Sequence, residues 1–234
     1  MIKMKTDNKI QSLRSNWKFD KLVTKSFDNH VKKSVPFYEI SHDISSKLSD
    51  FFLKENSNCY DIGSSTGNLL NKISIRNKKK TKFYGIDASK DMIKSAKKKY
   101  PKLNFINKDL NKIKLKKCDL VLSLYTIQFI EPRFRQELIT KIYKSLNWGG
   151  GLILFEKIRG NDARFQDILN FLYFDFKSEN GLKPAEILNK EISLRSVMEP
   201  FTIKANLDLL KRAGFVDVMP ITQYLNFVGF LAIK

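Results

Sequence analysis

Apolar positions recur at helical spacing from Trp17 to Leu53. Phe19, Leu22, Val23, Phe27 and Val31 form one stripe, which breaks at "SVPFY" and resumes through Ile44, Leu48, Phe51 and Phe52. The pattern predicts an N-terminal helical cap over residues 1–53, with a polar, frayed stretch covering about the first twelve residues. Beyond it, apolar runs alternate with amphipathic ones. "NCYDIG", "KFYGIDAS", "LNFINKDL", "CDLVLSLYTIQF" and "GGLILFEKI" read as strands. "NLLNKISIRN", "KDMIKSAKKKY" and "FRQELITKIYKSLN" read as the helices between them. Helices of this length between strands imply a parallel sheet with crossover connections. A mainly helical insert follows, over about residues 160–205, and "GFVDVMPITQYLNFVGFLAIK" closes the chain as an antiparallel hairpin at the sheet edge. The expected fold class is therefore α/β, with the cap and residues 54–234 forming one compact unit.

Composition changes this picture little. A chain of 234 residues with 42% hydrophobic content can bury a sizeable core. It has no apolar run of membrane-spanning length, and its polar N-terminus is unlike a secretory signal, so a cytoplasmic protein with no membrane contact is expected. Cys59 and Cys118 lie beside predicted buried strands, outside any metal-type cluster, and read as small core residues. No metal is expected. His30 and His42 read as surface or capping residues of the cap. The net charge of +19 has two readings, an electrostatic footprint for RNA or a solvated lysine-rich surface. The lysines lie in loops and on helix faces without interleaved aromatics, so direct nucleic-acid binding stays open.

In a parallel sheet the chemistry belongs at the carboxyl ends of the strands. The first turn reads Asp61-Ile-Gly63-Ser64-Ser65-Thr66-Gly67. Gly63 and Gly67 permit close backbone approach, and Asp61 can reach a ligand amine or order the loop. Ser65 stands where a dinucleotide fingerprint has its middle glycine, which weakens a pyrophosphate reading. The second strand ends in Asp87, suited to the two hydroxyls of a ribose, and the third in Asp109, suited to an exocyclic adenine amine. Three such acids behind a small-residue loop select adenosine, and the missing phosphate loop selects S-adenosylmethionine. This is the class I methyltransferase (Rossmann-like) pattern. "SLYTIQFIEP" after the fourth strand lacks the proline pair used to methylate base amines, and no cysteine stands where cytosine C5 chemistry needs one. The residues alone favour methyl transfer from S-adenosylmethionine to an unidentified small-molecule acceptor. Alignment and water exclusion are then the main demands, and no catalytic base is assigned.

"WKFDKLVTKSFDNHVKKSVPFY", "YDIGSSTGNL", "GIDASKDMI", "TIQFIEP", "KIYKSLNWGGGLILFEK", "FDFKSENG" and "KRAGF" occur in collinear order from Trp17 to the C-terminus. Together they resemble the carboxy-S-adenosyl-methionine synthase family. The resemblance implies a homodimer that combines S-adenosylmethionine with carbon dioxide released by prephenate, and a product that feeds a tRNA wobble-uridine modification. It carries cofactor contacts onto Tyr38, Gly63, Ser64, Ser65, Asp87, Ala88, Asp109 and Leu110, with Tyr38 reaching the methionine end from the cap. Two matched positions depart from the pattern. Leu124 stands in place of an asparagine, and Glu191 in place of the arginine that grips the added carboxylate. A charge contact at about 4 Å is worth roughly 4 kcal/mol at an effective dielectric near 20, so a glutamate there opposes that chemistry, and methyl transfer stays the leading expectation with the synthase activity as the alternative. Arg195, one helical turn on, is the candidate substitute. The aromatic run "NFLYFDFKSENG" reads as packing over the sheet, with an acceptor pocket or a subunit interface as alternatives.

Overall fold

The computed structural model describes residues 4–6 and 10–234. Two short strands, β1 (Met4–Lys5) and β2 (Gln11–Ser12), pair antiparallel ahead of the cap helices α1 (Lys21–Ser34) and α2 (Tyr38–Phe52). The α/β region runs β3 (Asn58–Ile62), α3 (Asn68–Arg76), β4 (Lys82–Asp87), α4 (Lys90–Lys99), β5 (Asn104–Asn107) and β6 (Cys118–Leu124). It continues with α5 (Pro132–Ser145), β7 (Leu146–Lys157), α6 (Ala163–Glu179), α7 (Pro184–Leu194), α8 (Ile203–Ala213), β8 (Asp217–Tyr224) and β9 (Phe227–Ile233).

The seven-stranded sheet has the order β5-β4-β3-β6-β7-β9-β8. Strands β3 to β7 run parallel, and β9 and β8 add antiparallel. The order reverses at β3, which pairs with β4 on one side and β6 on the other. That reversal opens a crevice beyond the strand ends, where α/β sheets bind ligands.

Both faces of the sheet are covered, so the central strands are apolar on both sides. Leu138, Ile139 and Ile142 of α5 and Leu210 of α8 pack with Tyr60, Val121 and Leu154. Leu69, Leu70 and Ile73 of α3, Ile93 of α4 and Phe52 of α2 pack with Cys59, Leu120 and Ile153 on the opposite face. Each fully buried Leu or Ile here contributes about 2 kcal/mol by leaving water. Both cysteines lie at 0% exposure within these clusters, as expected.

Helix starts follow local chemistry. The Asp20 carboxylate accepts the Leu22 and Val23 N–H groups at α1, and the Ser89 hydroxyl accepts Met92 N–H at α4.

Several expectations need correction. The N-terminal segment is not frayed in its described part, because Ile10 is buried and Asn189 of α7 donates to the Lys5 carbonyl. Residues 1–3 and 7–9 of that segment lie outside the described residues. The third strand stops at Asn107, so Asp109 sits two residues past it and caps a short 3-10 turn. β7 begins at Leu146 rather than Gly150, because Leu146 pairs with Cys118 before a register shift. The α6 aromatic run packs over the sheet only in part: the Tyr173 ring lies 5.4 Å from that of Phe227 on β9 and the Phe176 ring 6.5 Å from that of Tyr224 on β8, whereas Phe171 is 73% exposed and Phe174 is exposed as well.

Candidate functional site

The crevice at the strand ends opens into a cavity of about 930 Å³, roofed by the cap and by α6 and α7. The loop after β3 forms its floor. Gly63 (φ +78°) and Gly67 (φ +82°) adopt the left-handed region, and a Cβ on Gly63 would overlap Thr126 in the loop after β6. Ser65, at φ +50°, shares that strained region without being glycine. Its N–H donates to Asp87 Oδ2 at 2.8 Å, and Ser89 N–H donates to Asp87 Oδ1 at 2.8 Å. Each Asp87 oxygen thus keeps further acceptor capacity, and Asp87 lines the cavity.

Asp61 is 3% exposed and its carboxylate accepts no hydrogen bond from the described residues, yet it lines the cavity. Burial, and then the charge of nearby Asp87, push its carboxyl up to about 7. The Ser64 hydroxyl beside it is also buried without a partner. A buried carboxylate facing a cavity with nothing to pair it suits a ligand ammonium.

Tyr38, Asp61, Gly63, Ser64, Ser65, Asp87, Ala88, Asp109, Leu110, Leu124, Glu191 and Arg195 all line this one cavity. Gly67 stands behind it, as the residue preceding α3. Asp109 has one oxygen on the Asn111 N–H and is exposed, whereas Leu110 is buried. Tyr38 opens α2, and burial raises its phenol well above the usual range, so it is neutral. Its ring lies 4.4 Å from that of His42. Both histidines are buried, against expectation, because the cap closes on the sheet and carries them inward. Burial, and then the charge of Lys72, lower His42 to about 4, leaving a neutral ring.

Glu191 is not aimed alone into the cavity. Its carboxylate accepts a hydrogen bond from Lys177 at 2.9 Å, and its side chain is half exposed. Arg195 ends α7 as its C-terminal cap residue rather than extending the helix by a turn.

Three further groups organise the site. Asp28 of α1 accepts from Thr66 (2.7 Å), Asn68 (2.9 Å) and Lys99 (2.8 Å), tying the cap to the glycine loop. Burial pushes its carboxyl up, but the bonds from Lys99 and Thr66 outweigh this and hold it below the ordinary value. Glu156, fully enclosed at the end of β7, accepts from the N–H groups of Thr126 (3.2 Å), Ile127 (2.8 Å) and Gln128 (2.8 Å). Burial pushes it up to about 8 against those donors. Lys157 follows it, with its ammonium 4.4 Å from the Tyr173 ring centroid. The available sequence signal was two charged residues, Glu156 and Lys157, ending an otherwise apolar strand.

Glu156→Gln is expected to cost about 2 kcal/mol, because an amide NH₂ would face a backbone N–H and leave it unpaired. The urea unfolding midpoint reads this, and an unchanged midpoint would mean the loop does not depend on that carboxylate.

Among the described residues no group of three or more His, Cys, Asp or Glu is placed to hold a metal ion, and no helix is long and apolar enough to cross a membrane.

Residues 60–150 match the family model described as a methyltransferase domain. The carboxy-S-adenosyl-L-methionine synthase of Staphylococcus epidermidis is 40% identical over 221 residues, spanning 93% of this chain and 97% of that protein. The chain belongs to the carboxy-S-adenosyl-L-methionine synthase family. A synthase of that name from Campylobacter jejuni is 37% identical over 96% of this chain and 97% of its own length. Human N-acetylserotonin methyltransferase, solved in complex with S-adenosylmethionine, shares the fold at a TM-score of 0.58 and 16% identity. That match covers 91% of this chain and 55% of the human one. The synthase family therefore has here a methyltransferase-fold enzyme, with S-adenosylmethionine as its cofactor or substrate.

Proposed function

We propose that this chain makes carboxy-S-adenosyl-L-methionine from S-adenosylmethionine and prephenate. The observation that carries this reading is the 40% identity to a synthase across 93% of the chain, cap and helical insert included. Those are the segments that roof the cavity, so the likeness covers the part of the molecule that meets a second substrate. In the reaction prephenate releases carbon dioxide and its ring hydroxyl and becomes aromatic. The carbon dioxide replaces one proton of the sulfonium methyl, and that proton leaves with the hydroxide as water.

The chain's own residues bind, orient and exclude water. Asp61 takes the methionine ammonium, Gly63, Ser64 and Ser65 pass close beneath the methionine, and Tyr38 closes over it. Asp87 with Ala88 takes the ribose, and Asp109 with Leu110 takes the adenine. Gly67 lets the loop turn into α3. A homodimer accords with the exposed apolar face of α6, where Phe165, Ile168, Phe171 and Leu172 lack cover. The link to tRNA runs through the product, so the surface lysines need not touch RNA.

Transfer of an intact methyl group is the second reading, and Glu191 in the arginine position favours it. Its pairing with Lys177 weakens that objection, since the carboxylate is already neutralised. Incubation with S-adenosylmethionine and prephenate, followed by mass spectrometry, separates the two. The carboxylated product is expected. A protein that binds S-adenosylmethionine but gives no mass gain would sink the synthase reading.

A further inference from the structure

At the end of β7 the cavity wall carries an ammonium group, that of Lys157, with no carboxylate at ion-pair distance among the described residues. Lys157 reaches into it two residues beyond Phe155, which pairs with Leu124 of β6 in the parallel register. The Lys157 backbone is fixed, with its N–H on Gln128 Oε1 at 2.8 Å. Lys177 of α6 is 5% exposed, and its ammonium lies 4.1 Å from the same Tyr173 ring that Lys157 approaches. Tyr173 is itself held, since its hydroxyl donates to the Ser34 carbonyl at 2.7 Å.

Glu191 answers Lys177, but among the described residues no carboxylate lies within ion-pair distance of Lys157. Of the two ammonium groups on the Tyr173 ring, Glu191 pairs with that of Lys177 and leaves that of Lys157 without a carboxylate at ion-pair distance. Leu182, Ile187 and Phe227 line the cavity as well, together with the charged side chains of Arg159, Glu186, Lys190, Arg195 and Glu199. Two ammonium groups facing one aromatic ring, one of them without an ion-pair partner, suit a ligand carboxylate. Burial and the charge of Lys177 lower the Lys157 ammonium to about 8, a cost that a bound anion would reverse.

We propose that the ammonium groups of Lys157 and Lys177 form the seat of a substrate carboxylate, in place of the arginine replaced by Glu191. This rests on the synthase reading for the identity of the ligand. Glu191 then tunes the seat, since its half-exposed side chain shares Lys177 with the incoming carboxylate. The carboxylate has two sources, the prephenate donor and the carboxyl carried by the product, and the tests tell them apart.

Lys157→Met is expected to raise KM for prephenate about tenfold if the seat holds the donor, with the dissociation constant of S-adenosylmethionine unchanged. If the seat holds the product carboxyl, the variant instead loses about tenfold of the preference for carboxy-S-adenosylmethionine over S-adenosylmethionine in calorimetric titration. Lys157→Arg should restore whichever is lost, which a merely structural lysine would not require. Glu191→Gln should shift the same quantity the opposite way. A Lys157→Met protein with normal S-adenosylmethionine binding, normal KM and unchanged product preference overturns the proposal. If the wild-type protein forms no carboxylated product, the synthase reading fails by itself. The titration arm still decides the seat: a preference for the carboxylated ligand that Lys157→Met abolishes upholds it, and no preference overturns it.

Discussion

Asp61→Asn is expected to weaken S-adenosylmethionine binding about 100-fold near pH 8 and to remove its pH dependence, because a buried charge partner is replaced by a neutral amide. The wild-type carboxyl titrates at about 7 in the free protein, since burial and the Asp87 charge penalise ionisation. A ligand ammonium prefers the ionised form, so affinity should rise through neutrality and fall roughly tenfold per unit as pH drops below about 7. Stability of the free protein runs the other way. A carboxyl whose folded pKa is raised binds more protons in the folded state than in the unfolded one. Its contribution is therefore fully present below the ordinary carboxylate range and is lost as pH rises to about 7. Asp61→Asn should thus leave the free protein more stable at neutral pH while binding poorly, a trade of stability against function. Calorimetric titrations at about pH 6 and pH 8, with melting curves of both proteins, check each sign. A wild-type affinity that is flat across that interval would remove Asp61 from the ammonium site.

Much of this site was legible in the chain because it depends on local signals. The glycine turn, Asp87 and the strand alternation each occupy a few consecutive residues, and crossover topology then fixes where they meet. What escaped the sequence depends on distant pairing. Asp28 meets Thr66 and Lys99 from 38 and 71 residues away, and nothing in a cap helix rich in lysine marks its one inward acid. Glu156 meets a loop 28 to 30 residues earlier only because β6 and β7 are neighbours. Periodicity also cannot say whether an apolar stripe faces a core or open surface. The α6 aromatics therefore all read as sheet packing, which holds for Tyr173 on Phe227 and Phe176 on Tyr224 but not for Phe171 on the uncovered outer face. The histidines erred in the opposite sense, since a polar ring on an amphipathic helix reads as surface until the cap closes. The partner of Glu191 escaped as well, because Lys177 lies on a different helix and no local signal links the two.

Gly63→Ala is expected to cost about 4 kcal/mol, combining a left-handed conformation with an overlap in a packed loop. At φ +78° an L-residue is strained by about 1–2 kcal/mol whatever surrounds it. The added methyl would also fall on the Thr126 side chain, and Thr126 cannot retreat freely. Its N–H is held by Glu156 and its hydroxyl donates to the Leu124 carbonyl at 3.1 Å. Gly63 and Ser64 N–H groups both rest on the Ile86 carbonyl, so the glycine side resists movement as well. The strain must therefore appear either as a lower urea midpoint or, if the loop gives way locally, as lost S-adenosylmethionine binding. Pairing Gly63→Ala with Thr126→Gly separates the two causes. The overlap is relieved and the dihedral cost remains, so about half the loss should return. A single variant that keeps both its midpoint and its affinity would mean that this turn tolerates a side chain. The close approach of the loops after β3 and β6 would then not be what shapes the floor of the cavity.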